Sequence, residues 1–293
     1  MPVEPLVSTQ WLADHLRDPD VRVLDIRGSV TTRLVAPGVE EATYRGAPEE
    51  FARGHIPGAL FVDWTVDIVD PDDPVPAQLA KPDRFAAAMG VRGVGDATHV
   101  VAVDHLGGQY ATRLWWALKA YGHENVSVLD GGWNRWVDED RPISTEPTDP
   151  LPATFTPRPR PGWRREAAEV AAMIGTDVQI LDARDEGQFS AAKRRGPRGG
   201  HIPGAVHVPR ELFFAPDGGF KPVDEVRALV DGLGIRPDAP TVAYCNGGVA
   251  ATVVLFQLAR LGFTDLGNYD GSWNEWSART DLPVASSGSA EKV

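Results

Sequence analysis

Cys245 is the single cysteine among 293 residues, and its surroundings favour nucleophilic chemistry. It closes the short apolar run TVAY and opens the loop Asn246, Gly247, Gly248, Val249, Ala250. The apolar segment that follows, AATVVLFQLARLG, is predicted to be a helix ending at Gly262. The thiolate is the reactive form of cysteine, and it is favoured at a helix N-terminus. Two glycines let several backbone N–H groups converge on one point, a concavity that stabilises an anion without a charged side chain. Such a site holds both a thiolate and the persulfide formed when it takes up sulfane sulfur. No metal and no organic cofactor is required. The competing reading is an inert cysteine, since cysteine is among the most buried residue types. The position at a strand's carboxyl end, where ligands bind in open α/β sheets, favours the reactive reading. Phosphoryl transfer lacks its charge partner: Ala250 and Ala251 stand where a loop-closing arginine would be needed.

A second cluster bears on substrate charge. KRRGPR places Lys193, Arg194, Arg195 and Arg198 within six residues of an otherwise acidic chain. Guanidinium forks match sulfonate or carboxylate oxygens, so Arg194, Arg195 and Arg198 are candidate donor-binding residues. A solvated charge run is the alternative.

The elements that must position these residues occur twice. GHIPGALFV begins at Gly54 and GHIPGAVHV at Gly200; VLDIR ends at Arg27 and ILDAR at Arg184; LDGGWNRW ends at Trp136 and YDGSWNEW at Trp276. Short β-branched runs alternate with amphipathic segments, which implies a parallel sheet in each half. Boundaries are expected at 1–143 and 163–285, with a linker at 144–162 carrying six prolines and a flexible tail at 286–293. Features shared by both halves are expected to build the fold: His55 and His201 as turn residues, Asp25/Arg27 and Asp182/Arg184 as buried pairs, and the W-x-x-W tryptophans as core. The loop after the fourth strand differs. Aligned on the following Ala-Thr, Asp104 faces Cys245, with one extra residue in the first loop. A carboxylate cannot carry sulfane sulfur, so Asp104 is expected to cap the helix or order the loop.

HIPGA in both halves, YCNGGVA and DGSWNEW resemble the tandem rhodanese family over nearly the whole chain. The resemblance implies two rhodanese-like α/β domains, each a mainly parallel sheet flanked by helices. It implies a silent first domain, a catalytic second domain and a site between them. It further implies transfer of sulfane sulfur from a small anionic donor, thiosulfate favoured and 3-mercaptopyruvate the alternative, to cyanide or a thiol through a Cys245 persulfide. A non-catalytic binding or regulatory module is the alternative from another class. Where the family tends to carry a donor-binding arginine in "GR", this chain has Gln188, and Asn246 and Gly247 follow the cysteine where basic or hydroxyl residues are common.

Composition bounds the partners. With 29 basic and 41 acidic side chains the formal charge is −12, which disfavours nucleic acid and anionic membranes. No run of 18 apolar residues is present, and the first residues lack a signal pattern. A cytoplasmic enzyme is expected.

Overall fold

The computed structural model describes residues 3–286. Two five-stranded parallel sheets share one topology. In the first, the order across the sheet is Leu6–Val7, Val126–Leu129, His99–Val103, Val21–Asp25, Leu60–Phe61. In the second it is Arg164–Arg165, Leu266–Tyr269, Thr241–Tyr244, Gln179–Asp182, Val206–His207. The central strands are HVVAV and TVAY, whose Val100–Val103 and Thr241–Tyr244 are buried, as strands covered on both faces must be. Helices flank both sheets, giving the expected two-domain α/β architecture.

The helix after each central strand, Gln109–Ala120 and Ala251–Arg260, joins the two halves. Thr112 and Thr252, equivalent in the repeat, share a buried hydroxyl hydrogen bond of 3.0 Å. Trp115 meets Phe256 edge-on at 5.1 Å. One apolar cluster runs from Leu24, Trp64 and Trp116 through Ala251 and Phe256 to Leu181. The halves therefore share a core.

Two segments depart from expectation. Residues 145–163 form no helix or strand, but they are no loose tether: Ala153 N–H donates to Gly90 O, Arg158 N–H to Tyr121 O, and Phe155 is buried against the first half. The second departure is a long antiparallel hairpin, Gly28–Ala36 with Val39–Gly46. Its β-branched run Val30-Thr31-Thr32 and a turn at Pro37-Gly38, with Gly38 at φ +68°, suit a hairpin. The hairpin then accepts Arg194–Arg195 of the second half as a third, parallel strand. Apart from Ser286, the tail expected at 286–293 lies outside the described residues.

Among the described residues, no helix is long and apolar enough to cross a membrane.

Candidate active site

Cys245 leaves the end of its strand, and Asn246–Ala250 turn the chain into the helix Ala251–Arg260. Among the described residues, none of the six amides from Asn246 to Ala251 donates to another protein atom. Unpaired amides around a helix start form an anion cradle. The first half shows what fills such a cradle. There the Asp104 carboxylate accepts from the amides of Leu106 and Gly108 at 2.9 Å with one oxygen, and from Tyr110 and Ala111 at 2.5 and 2.9 Å with the other. A fixed internal carboxylate occupies the position that Cys245 takes in the second half. Asp104→Asn is therefore expected to destabilise the protein by about 2 kcal/mol, because an amide NH2 then faces two N–H donors. Turnover is expected to stay within about tenfold, since the residue caps rather than reacts. Urea unfolding alongside steady-state kinetics checks both.

The cysteine loop is braced from both halves. Cys245 N–H donates to Ser272 Oγ at 3.1 Å, Trp273 N–H to Cys245 O at 3.0 Å and Asn274 N–H to Asn246 O at 2.8 Å. This is the work of the DGSW motif. Ser272 itself sits at φ +51°, where the first half uses Gly132 at φ +56°. Gly248 is left-handed at φ +71°, and a Cβ there would stand 2.8 Å from Asp270 Oδ1, so only glycine fits. The Gly248 carbonyl accepts from Asn268 Nδ2 at 2.9 Å and from Arg113 at 3.2 Å. Arg113 comes from the first half and pairs with buried Asp270 at 2.6 Å. Its other nitrogen donates to Ala77 O, and the guanidinium lies 4.4 Å over Trp116. Asp270 also accepts the Leu79 N–H at 2.8 Å.

Cys245 lies at the wall of a cleft of about 480 Å³ between the halves. The second half contributes Gln188, Lys193, Arg195, Arg210 and the loop residues Asn246, Gly247, Val249 and Ala250; the first contributes Ser29, Glu40, Tyr44, His105 and Tyr110. Burial pushes the Tyr110 phenol up, so it remains a hydroxyl at neutral pH. The basic run splits. Arg195 reaches the cleft, and its Nε is buried without a partner. Arg194 is exposed and donates to Pro197 O.

Arg198 is a correction to the sequence-based expectation. Its guanidinium donates to the carbonyls of Trp276, Ser277, Arg279 and Leu282, pinning the chain after the DGSW helix, and it does not line the cleft.

Gln188 is buried in the wall. Its Nε2 donates to Glu40 at 2.7 Å, and its Oε1 accepts from Asn246 Nδ2 at 2.8 Å. Glu40 and Arg210 were missed from sequence. The hairpin that carries Glu40 has no counterpart in the second half to draw attention to it.

The repeated features build the fold. Arg27 pairs with Asp25 and donates to Gly54 O; Arg184 pairs with Asp182 and donates to Gly200 O. Each guanidinium lies over the first tryptophan of its W-x-x-W, at 4.5 Å for Trp133 and 4.3 Å for Trp273. His55 stacks on Phe51 at 4.1 Å and His201 on Phe189 at 3.9 Å, each with Nδ1 at that residue's carbonyl. Among the described residues, no group of three or more His, Cys, Asp or Glu side chains is placed to hold a metal ion.

Comparison with known proteins agrees with this architecture. The rhodanese-like domain family matches residues 8–139 and again 166–279. The chain is 37% identical over 282 residues to the 3-mercaptopyruvate sulfurtransferase of Escherichia coli K12, covering 95% of this chain and 96% of that protein. It is 33% identical over 285 residues to the thiosulfate sulfurtransferase of Rattus norvegicus, covering 94% and 92%. The crystal structure of SseA from Escherichia coli, a 3-mercaptopyruvate sulfotransferase with a rhodanese fold, superposes with a TM-score of 0.78 at 33% identity, covering 92% of this chain and 99% of that one. Two copies of the domain, in the same order and over nearly the full length, place this chain in the rhodanese-like family as a two-domain sulfurtransferase.

Proposed function

We propose that Cys245 carries sulfane sulfur as a persulfide from a small anionic donor to a thiol or cyanide acceptor, and that 3-mercaptopyruvate is the better donor. The observation that carries the reading is that, among the described residues, the loop amides around Cys245 bond to no protein atom, whereas the Asp104 carboxylate accepts from the equivalent amides of the first half. In the first step the Cys245 thiolate attacks the donor sulfur and the donor's C–S bond breaks. The electron pair leaves on carbon as the enolate of pyruvate, which then takes a proton. The persulfide anion stays in the cradle, where oriented N–H groups stabilise it.

The donor preference departs from the thiosulfate expectation, for two reasons. The 3-mercaptopyruvate relative is the more similar, at 37% against 33%. Charge in the cleft also suits a monoanion. Arg184 is committed to Asp182 at 2.6 Å and Arg210 to Glu211 at 2.9 Å, while Glu40 and Asp185 add negative charge to the lining. Lys193 stands 3.8 Å from Glu40, which leaves Arg195 as the guanidinium in the lining without an acidic partner, one charge for one carboxylate. Compact, dianionic thiosulfate would need more positive charge close to Cys245 than Asn246, Gly247 and Gln188 provide.

Steady-state kinetics with both donors test this. A larger kcat/KM is expected for 3-mercaptopyruvate. Arg195→Gln is expected to raise its KM about tenfold with a smaller change in kcat, the pattern of lost uniform binding. A larger kcat/KM for thiosulfate, or an unchanged KM in the variant, would contradict the donor assignment.

A further inference from the structure

Glu40 and Arg195 are Cα partners where the hairpin meets the Arg194–Arg195 strand. Residues paired in a ladder place their side chains on the same face, and both of these line the cleft that contains Cys245. Yet they are not joined. Glu40 accepts from Gln188 at 2.7 Å, and its other oxygen is 3.8 Å from Lys193, whose side chain is half exposed. Among the described residues the Arg195 side chain makes no hydrogen bond or ion pair, and its Nε is buried. A carboxylate and a guanidinium thus stand side by side without neutralising one another.

Glu40 also sets the polarity of the amides leading to the nucleophile. A carboxylate only accepts, so Gln188 must turn its NH2 toward Glu40 and its oxygen toward Asn246. Asn246 must then donate to Gln188, at 2.8 Å, which leaves Asn246 Oδ1 as a buried acceptor without a partner. The Gln188 side of the cleft is therefore rich in acceptor oxygens, with the Arg195 guanidinium beside them and the half-exposed Lys193 at 3.8 Å from Glu40. Cyanide and thiosulfate have no donor group to offer these oxygens, whereas an ammonium offers three N–H groups.

We infer that this wall is a subsite for the zwitterionic head of an α-amino-acid thiol acceptor, with Arg195 taking its carboxylate and Glu40 its ammonium. Glu40 is then a specificity-determining residue for the second half of the reaction. The inference rests on the persulfide reading of Cys245. The keto-acid product leaves before the acceptor enters, so Arg195 serves both in turn. The acceptor thiolate attacks the outer sulfur of the persulfide. A new S–S bond forms on the acceptor, the S–S bond to Cys245 breaks, and Cys245 departs as thiolate. No oxidant is consumed.

The test loads Cys245 with 3-mercaptopyruvate, removes excess donor, and mixes the protein with L-cysteine or with 3-mercaptopropionate, which lacks only the ammonium. Loss of sulfur is followed by mass. The quantity read is the ratio of the two rates, compared between wild type and Glu40→Gln. Differences in thiol acidity cancel in that comparison. The ratio is expected to fall about tenfold in Glu40→Gln, the size of one charge-assisted hydrogen bond. Glu40→Asp, which keeps a carboxylate, should retain most of it. Equal slowing of both acceptors, or an unchanged ratio, overturns the inference and leaves Glu40 as a bridge between the halves. Failure to load sulfur at all overturns the persulfide reading, and this inference with it.

Discussion

Cys245→Ser is expected to abolish sulfur transfer, lowering turnover by at least about a thousandfold, as loss of a covalent nucleophile does. An alcohol cannot accept sulfane sulfur to give a persulfide, so no alternative covalent route remains at that position. The fold should be untouched. Cys245 is buried at the cleft wall, and its own backbone bonds, to Ser272 Oγ and from Trp273 N–H, do not involve the side chain. A hydroxyl is smaller than a thiol and can accept from the same unpaired loop amides, so the polar atom is not stranded. Equal urea midpoints for variant and wild type would show that the loss is chemical. Substantial activity in the serine variant would remove Cys245 from the mechanism.

The second large effect is expected at Arg113, far from the nucleophile in sequence. Arg113 and Asp270 are each 1% exposed, and they join the two halves at 2.6 Å. Breaking a buried pair by removing one partner costs about 3–5 kcal/mol, and the lower end is expected here because Arg164 stays 3.4 Å from Asp270. Arg113→Met keeps the apolar contact over Trp116 but strands the Asp270 carboxylate with the Leu79 N–H and Arg164, 3.4 Å away. It also removes a donor from the Gly248 carbonyl inside the cysteine loop. Denaturant unfolding should therefore show the full loss in Arg113→Met and a partial recovery in Arg113→Met/Asp270→Asn, where the buried charge is gone. Equal instability of the single and double variants would mean that packing, not charge, accounts for the effect.

Much of this molecule is legible because it is written twice. HIPGA, D-x-R and W-x-x-W recur in order, and the structure uses each pair alike: an arginine clamped between an aspartate, a glycine carbonyl and a tryptophan face. The short apolar strands VVAV and TVAY, each followed by a helix, fix the parallel sheets. The difference between the loops also has a physical meaning, since Asp104 fills its own cradle. What the repeat could not reveal is whatever occurs once. The hairpin Gly28–Gly46 has no second copy, so the repeat gives no comparison by which to read its β-branched run and its Pro-Gly turn. Arg113 sits inside an apolar helix where Val253 stands in the other half, a signal in itself, but its partner Asp270 is 157 residues away. Arg198 looked like part of a substrate-binding run because sequence carries the charge and not the four carbonyls that occupy it.

The central claim is a sulfur atom held on Cys245, and the mass of the intact protein tests it most directly. After treatment with 3-mercaptopyruvate and removal of excess donor, the wild-type chain should gain about 32 Da, one sulfur. Fragmentation should place that gain on the peptide containing Cys245, and cyanide should remove it. The Cys245→Ser chain should gain nothing. An unchanged wild-type mass with either donor, or sulfur found equally on the serine variant, would contradict the account.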